Sequence, residues 1–291
     1  MIPAAHIQAW SMNAPWPDAR QIEQDLIICR ALCELFNAPE LKGKIAFRGG
    51  TAINKLLFKR PMRYSEDIDL VQVYAEPIGA TVDAMRGALS WLGKCQREQA
   101  GHSMHLVYKF SPENEPQVTL KIKVEINTRE HGSFLGIRQY PFSVENDWYS
   151  GSAEISSFEP EELFATKLRA FLQRRKNRDL FDLYEGWKQL GLDGAKLMAC
   201  FEHYLALEGN VITRANAEEV MLKKLVKNLT EDVSPLLPAG IRFDEDDAIA
   251  AFDLVWTELL GRMKGEPWKL SPQVVEKLRQ EKYPQLLPKL F

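Results

Sequence analysis

Long apolar runs are absent from this chain of 291 residues. A membrane-spanning helix needs about 20 consecutive apolar residues, so we expect no transmembrane segment. The N-terminal segment MIPAAHIQAW also lacks the basic start and the long apolar stretch of a secretory signal. These absences favour a cytoplasmic protein that makes no contact with a membrane. Internal repeats and low-complexity segments are absent as well, as in an ordinary globular chain.

Cysteine is scarce, and its spacing argues against a disulfide framework or a zinc site. The four cysteines are Cys29, Cys33, Cys95 and Cys200. Only Cys29 and Cys33 lie close together, and their spacing of four residues falls within a helical pattern. Since a second close pair is missing, we expect these two thiols to face a core rather than a metal.

A strong excess of either charge is also lacking. The formal net charge is −3, although 26% of the residues are charged and 45% are hydrophobic. The whole chain therefore has no general attraction for nucleic acid, and any such binding must come from a local basic patch. The length allows two domains. The pattern predicts a domain of mixed strands and helices over residues 1–150, and a helical domain over residues 151–291.

The first half reads as alternating helices and strands. Asp18 is a candidate N-cap for an amphipathic helix in ARQIEQDLIICRALCELF. KIAFRGG predicts a strand that enters a glycine turn, and TAINKLLF predicts a short helix from near Thr51. EDIDLVQV and MHLVYKF predict strands, and PIGATVDAMRGALSWLG predicts a helix with Pro77 near its first turn.

The turn at Gly49, Gly50 and Thr51 is the first candidate site. Glycine lets the backbone approach a ligand closely, and the start of a helix offers N–H groups and a positive dipole end that suit a phosphate. A Gly-Gly turn that is capped by threonine is also a common structural device, and that interpretation stays open.

Asp67 and Asp69 are the second candidate site, because strands usually avoid aspartate. Side chains two positions apart on a strand point to the same face. The two carboxylates would repel each other unless a positive group lies between them. Mg²⁺ prefers such oxygen ligands, often together with substrate phosphates. The alternative is a pair of solvated acids at the entry to a strand.

Glu125 is the third candidate, on the polar face of a strongly alternating strand. In VTLKIKVEIN the residues Val118, Leu120, Ile122, Val124 and Ile126 share one face, which predicts a half-buried strand. If that strand pairs beside Asp67–Leu70, three carboxylates converge. Lys121 and Lys123 lie on the same face as Glu125 and could neutralise it or contact phosphate. Glu125 could equally be a surface acid.

The fourth candidate is the basic stretch ATKLRAFLQRRKNRDLFDLY. Lys167, Arg174, Arg178 and Asp182 are spaced at helical multiples and would form one polar stripe on a continuous helix. Alternatively, the helix breaks at Asn177 and Asp179 begins the next helix. Such a stripe can also be a solvated, salt-bridged face.

Taken in this order, four blocks resemble the nucleotidyltransferase toxins of the AbiEii/AbiGii type, which include the MenT-like enzymes. These toxins belong to the DNA-polymerase-β-like superfamily. FRGGTAINKLL resembles the glycine motif and RYSEDIDL the Asp-x-Asp motif of the family. LKIKVEIN resembles its third-acid strand, and EELFATKLRAFLQRRKNRDLFDLY its Lys…Arg-Asp motif. The blocks cover about residues 45–185. The chain departs from the family pattern at Glu125, where the third acid is Glu rather than Asp.

The resemblance implies an α+β fold: a mixed, polymerase-β-like sheet flanked by helices, followed by a helical C-terminal domain. It implies that Mg²⁺, or Mn²⁺, binds to the predicted acids of the sheet, and that an NTP is the substrate. The implied metal ligands are Asp67, Asp69 and Glu125. The implied nucleotide contacts are Gly49, Gly50, Thr51, Lys121 and Arg178. The implied catalytic residues are Asp67, Asp69, Lys167, which would bind phosphate, and Asp179 or Asp182, with Asp179 preferred because it directly follows Arg178.

The function implied by the resemblance is a toxin that transfers a nucleotide from an NTP to an RNA, with a tRNA 3′ end as the acceptor. It also implies a separately encoded antitoxin and a role in abortive infection, a form of phage defence. Two alternatives stay open: nucleotidylation of a protein hydroxyl, and an NTP- or RNA-binding module without turnover. The basic run from Arg174 to Arg178 favours a polyanionic acceptor.

Overall fold

The computed structural model describes residues 2–209, 211–226 and 229–287. The chain divides into two compact units: the first ends at Glu159 and also includes Leu237–Gly240, and the second begins at Pro160. The predicted boundary near residue 150 lies earlier in the chain, within a strand of the first unit. Residues 288–291 of the predicted helical domain lie outside the described residues.

The first unit contains the predicted mixture of strands and helices. Its strands are β1 Ile45–Arg48, β2 Asp67–Gln72, β3 Cys95–Ala100, β4 Ser103–Phe110, β5 Leu120–Asn127, β6 Ile137–Asn146 and β7 Tyr149–Phe158. Its helices are α1 Ala4–Trp10, α2 Ala19–Asn37, α3 Gly49–Ala52 and α4 Gly79–Ala88.

Within the described residues, all seven strands form one mixed sheet in the order β3-β4-β5-β2-β1-β7-β6. β2 pairs parallel to β5 and antiparallel to β1, and β1 pairs parallel to β7. The strands β2 and β5 are therefore neighbours at the centre of the sheet, as the candidate site requires. The predicted α+β class, with a mixed sheet and flanking helices, is confirmed.

One face of the central strands forms the core of the first unit. Ile68 and Val124 are register partners on β2 and β5, as are Leu70 and Ile126, and all four are buried. The intervening residues point to the opposite face, because side chains alternate along a strand. The alternation in the sequence thus places the candidate acids on the non-core face. On the β7 side of the sheet, α2 packs against β7 and β6.

The glycine turn leads into a short helical segment that starts earlier than predicted. The predicted start was near Thr51, whereas α3 begins at Gly49 and passes at Ile53 into a π-helical turn, Ile53–Leu57. The N-cap prediction for α2 is confirmed, since the Asp18 side chain accepts a hydrogen bond from the backbone N–H of Arg20 at 2.9 Å.

Three strands, β3, β6 and β7, were not predicted. β3 has the polar sequence CQREQA and is largely exposed at one edge of the sheet. β6 forms the other edge and contains Pro141, which is tolerated there because an edge strand need not donate every ladder hydrogen bond. The β6–β7 hairpin extends the sheet into the region that the sequence assigned to the helical domain.

The second unit is helical throughout its regular elements, as predicted. α5 packs against α6 and α7, α6 packs against α9, and α8 packs against α5 and α10. The helices are α5 Pro160–Gln173, α6 Arg178–Leu190, α7 Gly194–Glu208, α8 Arg214–Leu225, α9 Glu245–Glu258 and α10 Ser271–Glu281.

Two expectations from absences can be compared with the structure. Among the described residues, no helix is both long enough and apolar enough to cross a membrane. All four cysteines lie in the described part of the chain as free thiols, and Cys29 and Cys33 are buried as predicted.

Candidate functional site

The parallel pairing of β2 with β5 brings the acids of these two strands side by side. Asp69 is the register partner of Glu125, and Asp67 is the register partner of Lys123. All four residues occupy the polar face, because they alternate with the buried residues of the same strands. The pairing of β5 beside β2, which the sequence analysis set as the condition for three carboxylates to converge, is therefore present in the fold.

Lys123 is the positive group between these carboxylates. Its Nζ lies 3.4 Å from Asp67 Oδ2 and 3.4 Å from Glu125 Oε2. Burial alone would lower the pKa of this ammonium, but the carboxylates of Asp67, Glu125 and Asp69 outweigh that effect, so its pKa lies above the usual value. The sequence left open whether Lys121 or Lys123 neutralises Glu125. The structure assigns this contact to Lys123, whereas Lys121 is exposed.

Glu125 has two further partners on β4, which the sequence analysis missed. His105, its register partner on β4, places Nε2 at 3.2 Å from Glu125 Oε2. Burial raises the pKa of Glu125, but a hydrogen bond from Ser103 and the charges of Lys123 and His105 lower it below its usual value. Glu125 is therefore held as a carboxylate. His105 occupies a polar position of an alternating strand, and this alternation was the one feature of the sequence that could have placed it on the same face as Glu125.

The carboxylate of Asp69 lies so close to Gly49 that no side chain fits at this position. Its φ of +83° lies in the left-handed region that favours glycine. A Cβ at this position would lie 2.1 Å from Asp69 Oδ2, 2.9 Å from Asp69 Cγ and 3.0 Å from Asp69 Cβ. The sequence attributed the glycine to close approach of a ligand. In the structure, the group that approaches Gly49 closely is a side chain of the site itself.

Thr51 ties the glycine turn to the start of β2. Its hydroxyl hydrogen bonds to the backbone carbonyl of Asp67 and lies 2.9 Å from the Ser65 hydroxyl. The side chain of Thr51 is buried, as is Gly50. The threonine therefore holds Gly50 and Asp67 in a fixed relation.

Arg48 completes a row of charges across the sheet. It is the register partner of Asp69 on β1, so Arg48, Asp69, Glu125 and His105 follow one another across four neighbouring strands. The Arg48 guanidinium forms an ion pair with the buried carboxylate of Glu130. The Arg48 guanidinium thus lies on one side of the acids in the row, and the His105 imidazole lies on the other.

The chemistry of these acids fits a hard divalent cation. Mg²⁺ is usually held by one or two carboxylates together with substrate phosphates, rather than by a cage made of protein alone. Residues 2–209, 211–226 and 229–287 contain no group of three or more His, Cys, Asp and Glu side chains that could hold a metal ion by themselves. The donor set suits an ion that is shared with a substrate phosphate.

The second unit gathers the remaining candidates into a compact ionic cluster. Lys167 Nζ lies 3.3 Å from Asp179 Oδ1 and 3.1 Å from Asp182 Oδ2. Arg174 donates to both oxygens of Asp179, from Nε at 2.7 Å and from Nη2 at 2.6 Å. The two bases balance the two acids, and both acids are buried. Such a network rigidifies a turn, so both candidate acids sit against the candidate lysine.

The break between α5 and α6 settles one question that the sequence left open. α5 ends at Gln173 and α6 begins at Arg178, so the polar stripe does not run along one continuous helix. Asp179 lies in the first turn of α6, where a negative charge is favourable. Asn177 donates its backbone N–H to Asp232 at 2.8 Å, which helps to hold the break.

The basic residues of this break differ in their surroundings. Arg174 is bound to Asp179 as described, whereas Arg175 and Lys176 are exposed. The Nε of Arg178 is buried and lacks a hydrogen-bond partner within the described chain. A cavity of about 520 Å³ lies beside the break. Its lining combines cationic and apolar side chains, including Arg175, Lys223, Lys224, Leu172, Val220 and Val226.

Comparisons with known proteins agree with this picture. The family model described as "Nucleotidyl transferase AbiEii toxin, Type IV TA system" matches residues 30–265, which is most of the chain. A search of curated proteins finds no match.

Solved structures show the same fold at low identity. MenT4, a nucleotidyltransferase toxin from Mycobacterium tuberculosis H37Rv, is 15% identical with a TM-score of 0.65, and the match covers 97% of each chain. JHP933 from Helicobacter pylori is 16% identical with a TM-score of 0.53, over 90% of this chain and 98% of that one. A putative nucleotidyltransferase from H. pylori is 16% identical with a TM-score of 0.51, over 85% of this chain and 100% of that one.

Proposed function

The chain belongs to the AbiEii nucleotidyltransferase toxin family of type IV toxin–antitoxin systems, and from this premise we propose that it transfers a nucleotide from an NTP to the 3′ end of an RNA, with tRNA as the acceptor. The chain is a nucleotidyltransferase, and its family implies an NTP substrate and an antitoxin partner. We further propose that it acts in the cytoplasm, in phage defence, and depends on Mg²⁺ or Mn²⁺.

The observation that carries this proposal is the alignment of Asp69 with Glu125, beside Asp67, on two parallel strands next to the glycine turn. These three acids would hold the divalent cation, which would offset the negative charge of the triphosphate. Carboxylates on adjacent strands of a sheet are held by the backbone ladder, so they need little reorganisation when substrate binds.

The glycine turn would bind the triphosphate through its backbone. The N–H groups of Gly49 and Gly50 belong to the first two residues of α3, and the hydrogen bond from Thr51 to the Asp67 carbonyl fixes them relative to the acids. Because the Thr51 side chain is buried, we assign it a positioning contribution rather than a direct contact through its hydroxyl. Lys121 is exposed on the same strand face and is available for a phosphate contact.

Nucleotide transfer requires no covalent enzyme intermediate. The acceptor hydroxyl would attack the α-phosphorus, the bond from that phosphorus to the β-phosphate oxygen would break, pyrophosphate would leave, and the hydroxyl proton would be lost to a base or to water. In such reactions the protein mainly positions groups and neutralises charge. The charge row on the sheet matches that requirement.

In the second unit, we propose that Lys167 offsets negative charge on the triphosphate, with Asp179 and Asp182 as the acids that orient its ammonium. Their distances of 3.3 Å and 3.1 Å from Nζ support this role for both acids. Arg174 acts through Asp179, whose two oxygens it binds. Arg178, whose Nε lacks a partner in the described chain, is the proposed nucleotide contact of α6.

An RNA acceptor is supported by the surface beside the α5–α6 break. Arg175 and Lys176 are exposed there, and phosphate contacts come mainly from Arg and Lys. The adjacent cavity combines cations with apolar walls, which suits a ligand made of phosphates and bases, since single-stranded nucleic acids use both types of contact.

A labelling experiment tests the acceptor directly. The protein is incubated with each labelled NTP, Mg²⁺ and total RNA, and RNA and protein are separated on a gel. We expect label in an RNA band of tRNA size, and its loss in Asp69→Ala. Asp83→Ala provides the matched control, because Asp83 is an exposed acid on α4. Label in a protein band instead would replace RNA with a protein hydroxyl as the acceptor.

A further inference from the structure

Lys123 holds a position that the nucleotide-transfer reaction does not by itself require. Its ammonium bridges Asp67 and Glu125 at 3.4 Å from each, although side chains from this strand face could equally point to solvent. We propose that Lys123 is a positioning residue: an internal counter-ion that keeps the three catalytic carboxylates together and competes with the divalent cation for them until NTP binds. This inference rests on the proposed function, because it assumes that these acids bind a cation.

The distances suit an ammonium better than a divalent cation. The oxygen ligands of Mg²⁺ lie at about 2.0–2.1 Å from the ion, whereas Lys123 Nζ lies 3.4 Å from the Asp67 and Glu125 oxygens. Carboxylates that grip Mg²⁺ must therefore lie closer to the cation than they lie to this ammonium. The exchange replaces an ammonium of charge +1 with a smaller ion of charge +2, so the two cations cannot share the same oxygens in the same arrangement.

The surroundings of Lys123 bind it to the acids as a group. Asp67, Glu125 and Asp69 together raise its pKa against the effect of burial, and its side chain is about one third exposed, at 32%. Glu125 is further held by His105 on β4, at 3.2 Å from the same oxygen that Lys123 approaches. Lys123 and His105 thus both approach Glu125 Oε2, whereas Asp67 contacts Lys123 alone among the ion pairs of the described chain.

Competition of this kind makes cation binding depend on nucleotide. Without NTP, a divalent cation must displace the Lys123 ammonium and leave it without an anionic partner. With NTP, the triphosphate supplies both additional ligands for the cation and negative charge for the displaced ammonium. The result is positive coupling between nucleotide and cation, which in proteins typically changes affinity by 5–150-fold. An empty site would then bind little free cation.

Measurement of Mn²⁺ binding tests the proposed competition without any measurement of activity. The bound fraction is obtained from the decrease in the electron-paramagnetic-resonance signal of free Mn²⁺. We compare the wild-type protein with Lys123→Met, Lys123→Arg and Lys109→Met, each with and without a non-hydrolysable NTP analogue. Lys109 is the matched control, because it is an exposed lysine on the neighbouring strand β4. Lys109→Met removes the same charge from the same sheet at a distance from the acids.

Without nucleotide, Lys123→Met should bind Mn²⁺ about tenfold more tightly than wild type, which equals about 1.4 kcal/mol. Lys123→Arg and Lys109→Met should bind Mn²⁺ with the affinity of wild type. The NTP analogue should reduce the difference in Mn²⁺ affinity between Lys123→Met and wild type. If removal of this charge prevents folding, Lys123→Gln, which keeps a hydrogen-bond donor, replaces it. Equal or weaker Mn²⁺ binding by the uncharged variant, without nucleotide, would overturn the proposal.

Asp69→Ala separates this inference from the proposed function. If Asp69→Ala abolishes Mn²⁺ binding while Lys123→Met binds as wild type does, the acids form the cation site and only the role of Lys123 is wrong. If the wild-type protein with the analogue binds no more Mn²⁺ than Asp69→Ala does, the assignment of the acids is wrong, and the role of Lys123 is rejected with it.

Discussion

Two glycines on either side of β1 allow the effect of backbone strain to be separated from the effect on the catalytic acids. Gly43 has a φ of +74° and Gly49 a φ of +83°, so an alanine is strained at both positions. A Cβ at Gly43 would meet no atom within 4 Å, whereas a Cβ at Gly49 would lie 2.1 Å from Asp69 Oδ2. Gly43→Ala is therefore the matched control for Gly49→Ala.

The expected magnitudes follow from these distances. A left-handed conformation costs a non-glycine residue about 1–2 kcal/mol, so both variants should lose stability by that amount. Rotation of the Asp69 carboxylate removes only part of the clash at Gly49, because Asp69 Cβ itself would still lie 3.0 Å away. Overpacking of this kind costs a further 1–3 kcal/mol or so. Gly49→Ala should thus unfold several degrees below Gly43→Ala.

Transfer of labelled nucleotide is the decisive assay for this pair. A shift of about 1 Å in a catalytic group can reduce the rate by about 10²-fold, so Gly49→Ala should lose most of its activity even at temperatures where it is folded. Gly43→Ala should keep its activity at the same temperatures. The reasoning is refuted if Gly49→Ala remains as active as Gly43→Ala, or if both variants lose activity in parallel with stability.

Three further predictions concern stability and the acceptor. Asp25→Ala should destabilise the protein by about 3–5 kcal/mol in urea unfolding, because it leaves the ammonium of Lys55, 2.6 Å from Asp25 and buried with it, without its carboxylate. A decrease in the free energy of unfolding of less than about 1 kcal/mol would contradict this prediction. Burial raises the pKa of Asp253 to about 6, above the value near 4 of an unfolded chain, so its contribution to stability is present below pH 4 or so and is lost as the pH rises through about 6. Asp253→Asn should raise the melting temperature at pH 8 and leave it unchanged at pH 4, and equal shifts at both pH values would argue against this pKa. Neutralising the exposed Arg175 and Lys176 together should lower the slope of log affinity for RNA against log salt by about one for each lost phosphate contact, and an unchanged slope would reject the RNA path at this surface.

The core of the site was predictable because local alternation determines which face a side chain occupies. Asp67 and Asp69 alternate with apolar residues on one strand, and Glu125 does so on another, so each polar face follows from sequence alone. The pairing of these two strands could only be assumed from the sequence, because the topology of the whole sheet determines which strands are neighbours. The structure contains this pairing, with Asp69 in register with Glu125.

Other features depend on contacts that are distant in sequence and were missed for that reason. The polar strand β3, Cys95–Ala100, has no hydrophobic period and exists through its ladder with β4. His105 gains its role from its register with Glu125. The sequence also left open whether the helix breaks near Asn177, because Asp179 of α6 is held by ionic contacts with Lys167 of α5 and with Arg174 of the break itself.

The central claim is that the alternate acids of β2 form the catalytic centre for nucleotide transfer. The most direct test measures the rate of label transfer from NTP to RNA in saturating Mg²⁺, for wild type, Asp69→Ala and the control Asp83→Ala, with melting temperatures recorded alongside. The account predicts that Asp69→Ala loses transfer almost completely while it remains folded, and that Asp83→Ala transfers label as wild type does. Near-normal turnover by folded Asp69→Ala would contradict the claim.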